Sequence, residues 1–222
     1  MGFIKVEELF DLSQTLCGDI FRDRPYPWDA LPHIAAFLKE LAGRLPDGYQ
    51  QIGEFVWVGR GTSIATSASI IGPAIIGSGC DIRQGAFIRE NVIIGDNAVV
   101  GNSTEIKNAI LFNSVQVPHF NYVGDCVLGY KAHLGAGAII SNVRSDKKNV
   151  TVRLADGMVI DTKLRKFGAL VGNRAEVGCN SVLNPGTILG EDSVVYPLTM
   201  VRGFIPANHI VKNSGEMVEK RR

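Results

Sequence analysis

With 222 residues and no low-complexity linker, the chain is long enough for one large domain, or one domain with a small appendage. Charged residues make up 20%, apolar residues 45% and the formal net charge is +1, without a run of eighteen apolar residues. This composition excludes most disordered and membrane-spanning architectures, argues against general nucleic-acid binding, and leads to the expectation of a soluble protein.

At the N-terminus, residues 1–6 lack a basic segment followed by an apolar stretch, and Val6 stands where a myristoylation signal carries Ser or Thr. Cys17, Cys80, Cys126 and Cys179 lie far apart with no CxxC pair, which points to reduced thiols and a cytoplasmic location rather than a zinc site or a disulfide scaffold. Val6, Leu9, Phe10, Leu16 and Ile20 have the spacing of one amphipathic helix. A second is expected from Asp29 as N-cap, Pro32 in the first turn, Leu31, Ile34, Leu38 and Leu41 on one face, and Gly43 as stop.

From residue 58 the pattern changes. An aliphatic residue recurs every six positions: Val58, Ile64, Ile70, Ile76, Ile82, Ile88, Ile94, Val100 and Ile106. The frame slips near Phe112, resumes at Val117 and Val123, and slips again to Leu128, Leu134 and Ile140. It returns as Val171, Val177, Leu183, Leu189, Val195 and Val201. A six-residue period fits neither a helix nor a long strand, but it suits a short strand and a turn wound around a polygonal solenoid. Glycines after inward residues, as at Gly77, Gly95 and Gly101, are expected to supply backbone freedom at tight corners. The helices of residues 1–50 are expected to cap the N-terminal end of this solenoid, with partner binding as the other reading. Residues 204–222 read as a C-terminal tail.

Residues 143–166 break the period, with a hairpin expected around Ala155-Asp156-Gly157. Here Arg144, Lys147, Lys148, Arg153, Lys163, Arg165 and Lys166 face only Asp146, Asp156 and Asp161. Both a solvated surface loop and an anion-facing arm fit this surplus.

Residues eighteen apart stack on successive windings, so Arg89 and Lys107 are expected side by side, each directly after an inward isoleucine. Such a pair is either neutralised by Glu90 or Glu105, or it is a cradle for a phosphate or another dianion. His119, at the first slip, is free to leave the repeating pattern. Its near-neutral titration suits removal of a proton from a nucleophile, against the plainer role of a structural hydrogen-bonder.

The segments 101–108, His119, Tyr122-Val123-Gly124-Asp125, Leu134-Gly135-Ala136-Gly137 and Ser141-Asn142 resemble the hexapeptide-repeat acyltransferases. The resemblance covers roughly residues 70 to 203 and is to the acetyltransferase part of bifunctional sugar-phosphate acetyltransferase/uridyltransferases. It is closer still to stand-alone proteins labelled pyrophosphorylase-related. It implies an all-β solenoid, a left-handed parallel β-helix with an N-terminal helical cap, and acetyl-CoA as co-substrate without a metal. It also implies a homotrimer with sites shared between prisms. The activity implied is N-acetylation of an amino-sugar phosphate, glucosamine 1-phosphate first, with no nucleic-acid or membrane partner.

By position, the resemblance makes His119 the general base and Arg89, Lys107, Tyr122 and Asn142 the sugar-phosphate ligands. Glu105 becomes the group that orients His119, and Lys148 a basic residue reaching a neighbouring subunit. Gly135, Ala136, Cys179, Pro197 and Arg202 fall along the acetyl-CoA groove, and the turn Gly135-Ala136-Gly137 is expected to hold the developing oxyanion. His133 stands where relatives carry asparagine, as an acceptor-pocket residue or a structural one. Val143 and the long 143–166 excursion also depart from the pattern, which leaves O-acetylation of another acceptor open. A non-catalytic sugar-nucleotide-binding subunit is the reading from another class. Uridylyl transfer is disfavoured, because residues 1–50 carry no glycine-rich nucleotide loop. Zinc hydration chemistry is a weak rival, because His33, His119, His133 and His209 form no close pair.

Overall fold

The hexads become strands of mostly two to four residues, joined by corners and paired in parallel with the strand one winding away. The computed structural model describes residues 4–154 and 156–221, and the winding is a left-handed parallel β-helix with three faces. The first face stacks Val56–Val58, Ala74–Ile76, Val92–Ile94, 109–111, 126–128, Ala169–Val171, Thr187–Leu189 and Phe204–Ile205. The second runs from Ser63–Ile64 through Gln116–His119 and His133–Leu134 to His209–Val211. The third stacks Ser69–Ile70, Phe87–Ile88, 105–107, 122–124, Ile139–Ile140, Val182–Leu183 and Met200–Val201. Among the described residues no helix is long and apolar enough to cross a membrane.

The aliphatic series lines the prism axis. Ile76, Ile88, Ile94, Val100, Ile106, Val117, Val123, Leu128, Leu134, Ile140, Val171 and Leu189 have no exposed surface. Each such burial stabilises the fold by roughly 1.5–3 kcal/mol relative to an exposed side chain. The frame slips are contractions of single windings: Ile88 pairs with Ile106 eighteen residues on, but Ile106 pairs with Val123 after seventeen.

The glycines that follow inward residues act differently from the expectation. Gly77, Gly95 and Gly101 are absent from the positive-φ positions, which fall further into the corners at Gly79, Asn97 and Ser114. A Cβ at Gly77 would lie 2.6 Å from the Asp96 nitrogen of the next winding, and one at Gly101 would collide with the Pro118 carbonyl. These positions are small because the windings approach closely there, not because the backbone is left-handed.

The N-terminal segment also departs from the expectation, in shape and in place. Its first part is three short 3₁₀ turns, Val6–Glu8, Leu12–Gln14 and Gly18–Phe21, and only Ile34–Ala42 is α-helical, preceded by the 3₁₀ stretch Pro27–His33. Asp29 lies inside that 3₁₀ stretch, where its carboxylate accepts the Tyr26 N–H at 3.1 Å, and the helix stops at Gly43. The segment lies along the side of the prism, not over its end. Trp28 packs 6.0 Å from Phe167, Phe10 packs 5.3 Å from Phe112, and the Asn173 N–H donates to the Leu9 carbonyl at 2.9 Å. The cause is the first face, which is aliphatic outside as well as inside: Ile75, Ile93, Ile110, Val127, Leu170 and Ile188 are at most 1% exposed. A sheet apolar on both sides must be covered on both.

At each end one of the three faces gains an antiparallel strand: Gln50–Gly53 pairs with Val56–Val58, and Met217–Glu219 pairs with His209–Val211. The winding therefore continues past residue 203, through Phe204–Ile205 and His209–Val211, where a tail was expected.

The 143–166 excursion contains the antiparallel pair Thr151–Arg153 and Val159–Asp161; Ala155, part of its expected turn, lies outside the described residues. The pair folds back on its own prism. Val150 and Val152 are fully buried, and the Val150 side chain and Thr151 carbonyl press on Gly186 so closely that no Cβ fits there.

Candidate active site

Because side chains alternate along a strand, an inward Ile106 puts Glu105 and Lys107 outside on the third face. The first outward column is Phe87, Glu105, Tyr122, Ile139, Val182 and Met200; the second is Arg89, Lys107, Gly124, Ser141, Asn184 and Arg202. Arg89 and Lys107 are neighbours, as their spacing requires, with rungs about 4.8 Å apart. Arg89 donates to Glu105 at 2.9 Å and lies 3.6 Å from Glu90. The Glu105 hydrogen bond, helped by the charge of Glu90, raises the Arg89 pKa above its ordinary value. The two carboxylates balance the two cations of the pair, and among the described residues the Lys107 ammonium makes no ion pair. Glu105 is thereby committed to Arg89 and does not orient His119, a correction whose cause is the direct cross-strand reach between adjacent rungs.

His119 ends the second-face strand Gln116–His119, at the corner that leads into the third face. It is exposed, its imidazole lies 6.5 Å from the Phe120 ring, and among the described residues it makes no hydrogen bond or ion pair. The corner stacks His119 with three of the expected cofactor residues. The Gly137 N–H donates to the His119 carbonyl at 3.0 Å, that of Asn180 to Ala136 at 2.9 Å, and that of Leu198 to Cys179 at 2.9 Å. His119, Ala136, Cys179 and Pro197 therefore form one column along the edge of the third face.

The turn Gly135-Ala136-Gly137 narrows to one free donor. The Gly135 N–H is bonded to Val177 and that of Gly137 to His119, whereas the Ala136 N–H has no partner among the described residues. In a β-turn closed by Ala138 N–H to Gly135 carbonyl, 3.1 Å, the second residue's N–H faces away from the turn. Of the three amides considered for an oxyanion, only this one is available.

Asn121, which sequence reasoning passed over, ties these parts together. Only 3% exposed, it accepts the His119 N–H at 3.2 Å and donates to the Gly135 and Ala138 carbonyls at 2.8 and 3.2 Å. A signal was present. Two residues before the inward aliphatic, other windings carry Ala68, Ala86, Thr104, Ala138, Ser181 and Thr199, so Asn121 is the large polar exception.

Tyr122 and Asn142 meet as the resemblance implies. The Asn142 amide donates to the Tyr122 hydroxyl at 3.2 Å and to Asp125 at 2.6 Å, and Asp125 also accepts from Asn108 at 2.9 Å. Gly124 makes this possible, since a Cβ there would lie 2.6 Å from the Tyr122 hydroxyl. Burial raises the Tyr122 pKa, so the phenol stays protonated.

The remaining residues fall outside this grouping. His133 points out from the second face, where its Nδ1 lies 2.7 Å from Glu176. Lys148 is exposed within the excursion, its N–H bonded to Asp146. Arg202, at the far end of the Arg89 column, lies under the excursion. Among the described residues no group of three His, Cys, Asp or Glu side chains is placed to hold a metal.

The chain is similar to several known proteins over part of its length. Residues 70–164 match the family described as GMPPB C-terminal domain. A bifunctional GlmU protein of Methanococcus vannielii is 32% identical over 119 residues, covering 54% of this chain and 28% of that protein. A bifunctional sugar-1-phosphate nucleotidylyltransferase/acetyltransferase of Sulfurisphaera tokodaii is 35% identical over 97 residues, 44% of this chain and 24% of its own. The chain thus spans about a quarter of the length of these bifunctional relatives. Among solved structures, a Caulobacter crescentus PerB in complex with CoA and GDP-perosamine aligns with TM-score 0.44 at 20% identity, over 71% of this chain and 56% of that one. The hexapeptide winding and these partial matches make the chain similar, over about half its length, to the acetyltransferase-bearing sugar-phosphate proteins.

Proposed function

We propose that the chain is an acetyl-CoA-dependent N-acetyltransferase for an amino-sugar phosphate, with glucosamine 1-phosphate as the first acceptor to test. The observation that carries this reading is the exposed imidazole of His119, without a hydrogen bond among the described residues, stacked one winding from the free Ala136 N–H. His119 takes a proton from the acceptor amine as nitrogen attacks the thioester carbon. The Ala136 N–H stabilises the tetrahedral oxyanion. As the oxyanion collapses, the carbon–sulfur bond breaks and the coenzyme A thiolate leaves, taking up the proton. The scheme uses no metal.

Lys107 is the free cation for the acceptor phosphate, and Arg89 joins it once Glu105 turns to a sugar hydroxyl. Tyr122 and Asn142 supply polar contacts on the same face, while Gly135, Cys179, Pro197 and Arg202 line the cofactor's path. Assembly as a homotrimer, with Lys148 reaching a neighbour, belongs to the same reading. It is supported by the apolar edge of Phe120, Ile139, Val182, Leu198 and Met200, of which the last two are 72% exposed. The neutralised Arg89 favours a second reading, in which the same machinery acetylates an amine or hydroxyl acceptor not held by phosphate there.

The test is acetyl-CoA-dependent thiol release with glucosamine 1-phosphate, other amino-sugar phosphates and nucleotide-linked amino sugars. Turnover with a phosphorylated amine supports the first reading, and turnover only with an unphosphorylated acceptor supports the second. Sugar-nucleotide binding without turnover across the panel would make the chain a non-catalytic subunit.

A further inference from the structure

A cleft of about 480 Å³ opens between the 143–166 excursion and the chain's own third face. Its walls are Arg144, Asp146, Thr151 and Arg153 from the excursion and Ser141, Asn184 and Arg202 from the prism. The excursion is a built wall rather than a loose loop: the Thr162 hydroxyl donates to the Val150 carbonyl at 2.7 Å, and the Phe167 N–H to Asn142 at 3.0 Å.

The charges in the cleft are unequal in their commitments. Arg144 is held by Asp146 at 2.9 and 2.7 Å and by the Thr151 hydroxyl at 3.2 Å. Arg153 has no partner among the described residues, and Arg202 makes only a 3.4 Å contact with the Asn184 amide oxygen. Gly203, next to Arg202, lies 3.3 Å at its Cβ position from the Arg153 carbonyl, so the backbones carrying the two arginines meet at the cleft that both side chains line. Three guanidinium groups against a single carboxylate leave a local charge of plus two. Planar guanidinium donors match phosphate oxygens in paired hydrogen bonds. The volume exceeds what one phosphate needs and falls in the range of small-molecule sites. The Arg89–Lys107 pair, by contrast, has its charge already cancelled.

We propose that this cleft binds the diphosphate of a nucleotide-bearing small molecule, with Arg153 and Arg202 as the clamping pair and Arg144 as a fixed donor behind them. Both coenzyme A and a nucleoside-diphosphate sugar carry that group. With coenzyme A as the occupant, the inference rests on and deepens the acetyl-transfer reading, which places Arg202 on the cofactor's path; pyrophosphate binding itself tests the cleft apart from that reading.

Titration calorimetry on the full chain tests it, with inorganic pyrophosphate as the probe. Pyrophosphate is expected to bind, and Arg153→Gln and Arg202→Gln are each expected to weaken it on the order of tenfold to a hundredfold. His119→Ala is expected to bind it as the unmodified chain does. Thermal melts check that the two exposed substitutions leave the fold intact. Competition then names the source: displacement by coenzyme A but not by 4′-phosphopantetheine points to the cofactor, and displacement by a UDP-sugar but not by glucosamine 1-phosphate points to a sugar nucleotide. No binding of pyrophosphate, or equal binding by both arginine variants, overturns the proposal and leaves the thiol-release assay to judge the acetyl-transfer reading on its own.

Discussion

The first and third faces share one interior and differ only in what points away from it. On the first, the outward column is Ile75, Ile93, Ile110, Val127, Leu170 and Ile188, and the N-terminal segment packs along this side of the prism. On the third, the outward positions include Glu105, Tyr122, Arg89, Lys107 and Arg202, with His119 exposed at the edge, and the excursion stands over one end. The inward hexad makes a rigid rod, and the outward positions are then free to be sealed on one face and chemically equipped on another. Rigid elements hold side chains in place better than loops do, which suits a site whose parts come from several windings.

Substitutions on the two faces should therefore fail in different ways. The largest effect is expected from His119→Ala, which should lower the turnover of acetyl transfer about 10²–10⁴-fold with an unchanged melting temperature, because the side chain is exposed and makes no hydrogen bond among the described residues. Unchanged turnover would remove the base from the account. On the covered side, Trp28→Ala should cost about 3–5 kcal/mol in urea unfolding, since this fully packed ring seals the first face. Turnover per folded molecule should hold; a loss matching that of His119→Ala would show that the two faces are not separable. Asn121→Ala lies between them. Removing donors from two buried carbonyls should cost about 1–3 kcal/mol of stability. It should also lower turnover while leaving the pH midpoint of the rate in place, and a shifted midpoint would mean that Asn121 acts on the imidazole directly. Tyr122→Phe should be mildest, about 0.5–1.5 kcal/mol, read as a rise in KM for the acceptor.

How much of this was legible in the chain varied with the geometry involved. The inward column could be read because periodicity is a property of residue spacing, and even the slips at Phe112 and before Leu128 marked real seventeen-residue windings. The Arg89–Lys107 stack followed from the same arithmetic. The placement of residues 1–50 did not, although the doubled aliphatics Ile75-Ile76, Ile93-Ile94, Ile110-Leu111 and Val127-Leu128 announced a face apolar on both sides. Side-chain commitments were the least accessible. Whether Glu105 pairs with Arg89 or with His119 depends on reach across rungs, which spacing along the chain does not encode. The Arg153–Arg202 cleft brings together residues 49 positions apart through the fold-back of the excursion, so only its surplus of charge was visible.

The central claim, that the thioester lies along the corner column of His119, Ala136 and Cys179, is tested most directly by thiol labelling. Burial pushes the Cys17 thiol up to about 12 and raises those of Cys80 and Cys126, while Cys179 alone of the four is exposed. The account predicts that a thiol reagent labels only Cys179 in the native protein and that acetyl-CoA slows this labelling. Labelling of Cys179 at the same rate in saturating acetyl-CoA would contradict it.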